Sequence, residues 1–199
     1  MSPSPATVAS AAAVEEGTSQ RAKPPRPTPA LWVPRVDSLA EFGLMISRQL
    51  TQCRRYGGRL SVLWLEAEPA TGPTTVLAAP GAADAVAADA AAAAQAAVIE
   101  ARMELTKAVG RRLRSRVRGT DMVLQVGESS FAVLLLDAGL SEARLVQQRL
   151  SAGLNGPYGV DAATMHVRLQ MGSASFPEGG VRGADLAESA RQDLRRRVV

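Results

Sequence analysis

The chain has 199 residues, 46% of them hydrophobic and 21% charged, with a formal charge of +4 at pH 7. That length supports one domain of ordinary size with a tail and is short for two separate cores. The single cysteine, Cys53, excludes an internal disulfide framework and a cysteine-built zinc site, while the basic balance favours anionic partners.

Residues 1 to about 35 are rich in Pro, Ala, Ser and Thr and end in Lys23-Pro24-Pro25-Arg26-Pro27-Thr28-Pro29, a composition that predicts a disordered tail acting as a spacer. Met1-Ser2-Pro3-Ser4-Pro5 lacks the charged start and apolar core of a secretory signal. The folded domain is expected over 36–199. Ser38 and Glu41 have the spacing of a capping box, and Leu39, Phe42, Ile46, Leu50 and Cys53 recur at helical spacing, so a helix is predicted to about Arg55. Within that pattern Cys53 reads as a core thiol. Tyr56-Gly57-Gly58 ends the helix, and Leu60 to Glu66 reads as a buried strand closed by Pro69.

An Ala/Pro-rich insertion is expected at about 69–95, irregular to about Ala85 because Pro, Gly and Thr interrupt any period. Its alanine block from Ala82 to Ala97 is interrupted by Asp84 and Asp89, so neither it nor any other run spans a membrane. A long helix follows from about Ala87 to Val117, with Val98, Met103, Leu105, Val109 and Leu113 as its apolar side. Gly110 weakens it locally and leaves two shorter helices open.

Strands are predicted at about 121–126 and 130–136, a helix from Ser141 to about Ala152, and a loop through Gly153, Asn155, Gly156 and Pro157. Val167, Leu169 and Met171 then alternate with His166, Arg168 and Gln170, a strand with one wet face, and a last helix spans about Ala184 to Arg197. The order contains a β-α-β-β-α-β unit, the signature of an α+β, ferredoxin-like sheet.

The stretch Arg118-Gly119-Thr120-Asp121, followed by Met122 to Val126 and then Gly127-Glu128-Ser129-Ser130-Phe131, resembles the GGDEF domain of diguanylate cyclases. Around it, Arg54 to Glu68 is similar to the end of the family's first helix and its first strand, Leu169 to Pro177 to its Ser-x-Gly-x-Ala-x-x-Pro strand, and Ala184 to Arg191 to its closing helix. The resemblance covers about Asp37 to Arg197 and implies a nucleotidyl-cyclase-like mixed β-sheet flanked by helices.

In active members, the resemblance implies, the two acids of the Gly-Gly-Asp/Glu-Glu-Phe turn supply a metal-ligand carboxylate and a carboxylate at the reacting hydroxyl. Ser129 and Ser130 stand at those positions, and a serine hydroxyl is a poor ligand for a hard divalent cation. Glu66 and Glu68 occupy the places of the family's Asp-x-Asp and otherwise read as solvated acids at a strand end. Glu128 replaces a glycine with a negative side chain, and the Phe-Lys-x-x-Asn-Asp and Gly-His motifs are missing. Cyclase activity is therefore expected to be lost, with no catalytic residue, cofactor or metal.

An Arg-x-x-Asp placed five residues before the turn marks the family's inhibitory site for cyclic di-GMP, and Arg118 and Asp121 have that placement. Counting on from the turn, Arg149 falls where a further arginine of that site lies. An arginine fork suits phosphate and the acceptor edge of guanine, and a carboxylate suits guanine N–H groups. The expected function is thus an inactive, cytoplasmic GGDEF-like receptor for cyclic di-GMP that acts on a protein partner. Arg118-Gly119 also reads simply as a helix end, and Asp121 as a strand start.

The alternative is a ligand-free scaffold of a signalling or secretion complex, and a homodimer is compatible with either. A working cyclase would need acids that the turn does not have. His166 is the chain's one histidine and reads as solvated. The arginines from Arg111 to Arg118 and Arg195 to Arg197 lack the aromatic interleaving of a nucleic-acid surface, so nucleic acid is not expected as a partner.

Overall fold

A computed structural model describes residues 32–70, 85–160 and 163–198. Most of the predicted tail, the predicted irregular loop over 71–84 and the short link 161–162 lie outside the described residues. Helix α1 (Leu39–Tyr56) leads into strand β1 (Leu60–Pro69), helix α2 (Ala85–Arg116) and strands β2 (Met122–Gln125) and β3 (Ser130–Leu136). Helix α3 (Leu140–Leu154), strands β4 (Gly156–Val160) and β5 (Ala163–Phe176) and helix α4 (Gly183–Val198) complete the domain. No described helix is long and apolar enough to cross a membrane.

The five strands form one sheet in the order β2-β3-β1-β5-β4. All pairings among these five strands are antiparallel, and a parallel contact is added by the isolated bridge of Arg35 to Gln125 on β2. β1 and β2 do run in the same direction, but β3 lies between them and opposes both. The architecture is the α+β, ferredoxin-like one expected, with β4 added at one edge.

β1 is buried on both faces, which explains its nearly unbroken apolar run. Leu63, Leu65 and Ala67 join Leu105, Val109 and Leu113 of α2 and Leu150 and Leu154 of α3 on one side. Leu60, Val62 and Trp64 meet Phe42, Ile46 and Leu50 of α1 and Leu186, Ala190 and Leu194 of α4 on the other. α4 lies close enough to β5 that a β-carbon on Gly172 would collide with the Leu194 backbone nitrogen and the Ala190 carbonyl. The glycine of the Ser-x-Gly-x-Ala-x-x-Pro pattern is therefore a helix-packing requirement.

α1 starts where its capping residues place it. The Ser38 hydroxyl accepts the Glu41 N–H at 3.1 Å, Glu41 accepts the Asp37 N–H at 3.3 Å, and Gly57 closes the helix at φ 74°. Ahead of it the chain already runs beside β2, with the Val36 N–H bonded to the Gln125 carbonyl at 2.8 Å and the Gln125 N–H to the Pro34 carbonyl at 2.8 Å. Cys53 is half-buried near the Arg59 carbonyl, and burial first, then the Asp137 charge, push its thiol above the ordinary value. That disfavours a nucleophilic thiolate.

α2 is a single helix through Gly110. A β-carbon there would lie 3.2 Å from Phe131 Cε1 and 3.3 Å from Val33 Cγ2, so the missing side chain admits two apolar neighbours without breaking the helix. Met103, read as part of the apolar side, instead faces outward and is exposed, while Leu105, Val109 and Leu113 are buried.

The predicted loop over Gly153 to Pro157 is corrected: α3 continues to Leu154 and Gly156–Val160 is strand β4. Tyr158 and Val160 point inward while Pro157 and Gly159 are exposed, an alternation hidden by two glycines and a proline. Pro157 is tolerated because β4 is an edge strand. Asn155 turns the chain and accepts the Leu169 N–H at 2.7 Å. On β5, Thr164, His166 and Arg168 are exposed and Val167 and Leu169 buried, the expected wet and dry faces.

Glu142 accepts the Gly139 N–H at 3.0 Å at the start of α3. Its own backbone N–H, that of Gly139 and the Ser141 hydroxyl hold the carboxyl below the usual value. A lowered folded pKa stabilises above the unfolded value and ceases to do so as pH falls through the folded one. Glu142→Ala is thus expected to melt below the wild type at neutral pH, with the gap closing on acidification, as thermal melts across that range will show.

Candidate ligand site

The β2–β3 turn is held by the chain around it. Val126 N–H donates to the Ser130 carbonyl at 2.9 Å, and Ala67 N–H of β1 to the Ser129 carbonyl at 3.0 Å. The Gln125 amide spans the turn, donating to the carbonyls of Gly127 at 2.9 Å and Glu128 at 3.3 Å. A β-carbon on Gly127 would sit 3.1 Å from Ser130 Oγ, a tight fit that favours glycine. Phe131 is 1% exposed, whereas Glu128 and Ser129 are open to solvent.

Ser130 pairs with Glu66 across β3 and β1, so the carboxylate nearest the turn in register stands opposite a hydroxyl. Glu68 faces β5, where Gln170 Nε2 approaches its Oε2 at 3.4 Å. Among the described residues no group of three or more His, Cys, Asp or Glu side chains converges on a point that could hold a metal ion.

Arg118 and Asp121 form one compact turn between α2 and β2. Asp121 N–H donates to the Arg118 carbonyl at 3.1 Å, and Asp121 Oδ2 accepts the Arg118 N–H at 3.0 Å. Asp121 Oδ1 accepts the Leu136 N–H at the end of β3 at 3.4 Å, and the residue is 5% exposed. The carboxylate is thus engaged by two backbone donors and ties the turn to the sheet. Arg118, Gly119 and Thr120 are exposed, and Gly119 is absent from the positive-φ glycines, so the chain leaves α2 without a left-handed cap there.

Arg149 reaches the same end of α2 from the exposed side of α3, where its Nη2 donates to the Arg116 carbonyl at 3.2 Å. Two arginines named from the sequence therefore come from different elements to the C-terminal end of one helix, whose unpaired carbonyls attract cations. Arg114, outside the Arg-x-x-Asp spacing, also holds this turn. Its guanidinium donates to the carbonyls of Asp121 at 2.8 Å, Arg118 at 3.2 Å and Gly119 at 3.3 Å. Its position four residues before Arg118 was the available signal, hidden in a run of arginines. Arg112, in the same run, lies over the Tyr158 ring at 3.8 Å and serves packing.

Residues 104–197 match the family model described as the diguanylate cyclase GGDEF domain. Among solved structures, the GGDEF domain of YfiN (TpbB) from Pseudomonas aeruginosa is 22% identical, with a TM-score of 0.60 over 83% of this chain and 90% of that one. A sensory box/GGDEF family protein from Caulobacter crescentus is 18% identical, with a TM-score of 0.59 over 79% of this chain and 89% of that one. The GGDEF domain of FimX from Pseudomonas aeruginosa is 14% identical, with a TM-score of 0.59 over 79% and 85%. No curated protein matches the chain. The family match runs from the second half of α2 to the end of α4, and over most of its length the chain shares the fold of solved GGDEF domains.

Proposed function

We propose that this chain is a GGDEF domain that has lost cyclase chemistry and serves as a cytoplasmic receptor for cyclic di-GMP. The single observation behind the receptor reading is that Arg149 bonds to the α2 terminus two residues from Arg118, whose own head is open to solvent. One guanidinium fork held at the helix end and a second, solvent-open one on the turn that follows suit a ligand with phosphates and guanine edges. Asp121 enters this reading as the group that holds the turn.

Loss of catalysis rests on residue chemistry. A pair of divalent cations needs carboxylate oxygens from the turn, and Ser129 and Ser130 supply only hydroxyls there, which leaves Glu66 on β1 without an acidic partner opposite it. The exposed Glu128 also opposes polyphosphate. Purified protein with GTP and Mg²⁺ is expected to form no cyclic di-GMP, and detectable product would overturn this half of the reading.

For the other half, calorimetric titration with cyclic di-GMP is expected to give saturable binding that Arg118→Ala removes while far-UV circular dichroism stays unchanged. A ligand at a hundred times its dissociation constant adds about 2.7 kcal/mol to stability, so a thermal shift provides a second readout. Equal affinity in wild type and variant would reject the site. The second reading, a ligand-free scaffold for a protein complex, is favoured by the engagement of Asp121 with backbone N–H groups and of Arg149 with a carbonyl. An unshifted melt at high ligand concentration would select it.

A further inference from the structure

Both peptide groups of Arg118 are pinned while its side chain is free. The N–H goes to Asp121 Oδ2 at 3.0 Å, and the carbonyl accepts from the Asp121 N–H at 3.1 Å and from Arg114 Nη1 at 3.2 Å. Arg114 also holds the carbonyls of Asp121 and Gly119, so three of the four carbonyls in the turn from Arg118 to Asp121 accept from one guanidinium. A planar fork with five N–H donors can span such a set, whereas a lysine ammonium presents a single point of charge.

We propose that Arg114 is the positioning residue of this site: by holding the turn's carbonyls it fixes the Cα from which Arg118 meets an anionic ligand. The inference rests on the receptor reading for its ligand and on the turn geometry for its mechanism. A prearranged turn lowers the ordering cost of binding, so Arg114 raises affinity without touching the ligand. Its charge is already committed to backbone oxygens, and Arg118 and Arg149 are left to make the contacts.

The decisive experiment titrates the full chain with cyclic di-GMP at several salt concentrations, comparing wild type, Arg114→Ala, Arg114→Lys and Arg118→Ala. Arg114→Ala and Arg114→Lys are expected to bind about tenfold more weakly, the size of effect that one charge-assisted hydrogen-bond set supports. The dependence of affinity on salt in Arg114→Lys, which keeps the positive charge, should match the wild type, because no ion contact to the ligand has been removed. Arg118→Ala is expected to lose both affinity and salt dependence. The lysine variant keeps the charge and guards against misfolding of the alanine variant.

Wild-type affinity in both Arg114 variants would overturn the positioning role and leave the receptor reading standing. A reduced salt dependence in Arg114→Lys would also overturn it, by making the Arg114 guanidinium a ligand contact. If the wild type itself shows no binding, the receptor reading fails and hydrogen exchange decides the mechanism. The Asp121 amide, bonded to the Arg118 carbonyl, should exchange faster in Arg114→Ala than in wild type, and equal rates would remove the turn-holding role as well.

Discussion

Replacing Phe131 with alanine is expected to destabilise the domain by about 3–5 kcal/mol, the usual cost of truncating a buried phenylalanine. The ring is 1% exposed and belongs to the core cluster that includes Leu65, Val109, Leu113 and Val133, with its edge against Gly110 of α2. Truncation leaves a cavity between α2 and the sheet that a glycine at 110 cannot fill. For a protein of this size each kcal/mol shifts the midpoint by about 2–4 °C, so the melt should fall by at least about 6 °C. Ser129→Ala, at an exposed position whose carbonyl rather than hydroxyl is bonded, should stay within about 0.5 kcal/mol of wild type. Thermal denaturation of the two variants side by side measures the contrast.

That contrast gives a physical reason for what the turn shares with the GGDEF pattern that it resembles. Phe131 fills the core and is demanded by folding whatever the domain does, while Gly127 fits closely against the Ser130 side chain. The positions between them face solvent or the strand end, and folding places little demand on their chemistry. The proposed loss of cyclase chemistry is compatible with that pattern, since Phe131 is held by the core and the side chains of Glu128 and Ser129 are not.

Elements whose apolar period was intact could be read from the chain. α1 carries its cap and its spacing, β1 is apolar because two helical layers cover it, and β5 alternates because α4 covers only its second half. β4 was missed because Gly156, Pro157 and Gly159 imitate a loop, although Tyr158 and Val160 keep the alternation. The long helix α2 was read correctly, and Gly110 left a break open only because propensity carries no information about Phe131 and Val33 packed beside it. The same limit applied at the candidate site. Spacing marked Arg118, Asp121 and Arg149, but only three dimensions distinguish the solvent-facing head of Arg118 from the inward carboxylate of Asp121, or Arg114 from its arginine neighbours.

Asp121→Ala is expected to cost about 3 kcal/mol, because two backbone donors lose a charged acceptor in a site nearly closed to water. The Leu136 bond at 3.4 Å is the weaker, so most of the loss falls on the Arg118 N–H and the turn that it anchors. Asp121→Asn keeps one acceptor oxygen and should recover part of the stability, while its amide nitrogen meets the second donor unfavourably. Melting temperature and cyclic di-GMP affinity measured on both variants separate two roles for this side chain. If Asp121 acts by holding Arg118 in place, affinity should track stability, with alanine worst and asparagine intermediate. An asparagine variant that folds like the wild type yet has lost its ligand would mean instead that the carboxylate turns outward and meets the guanine itself.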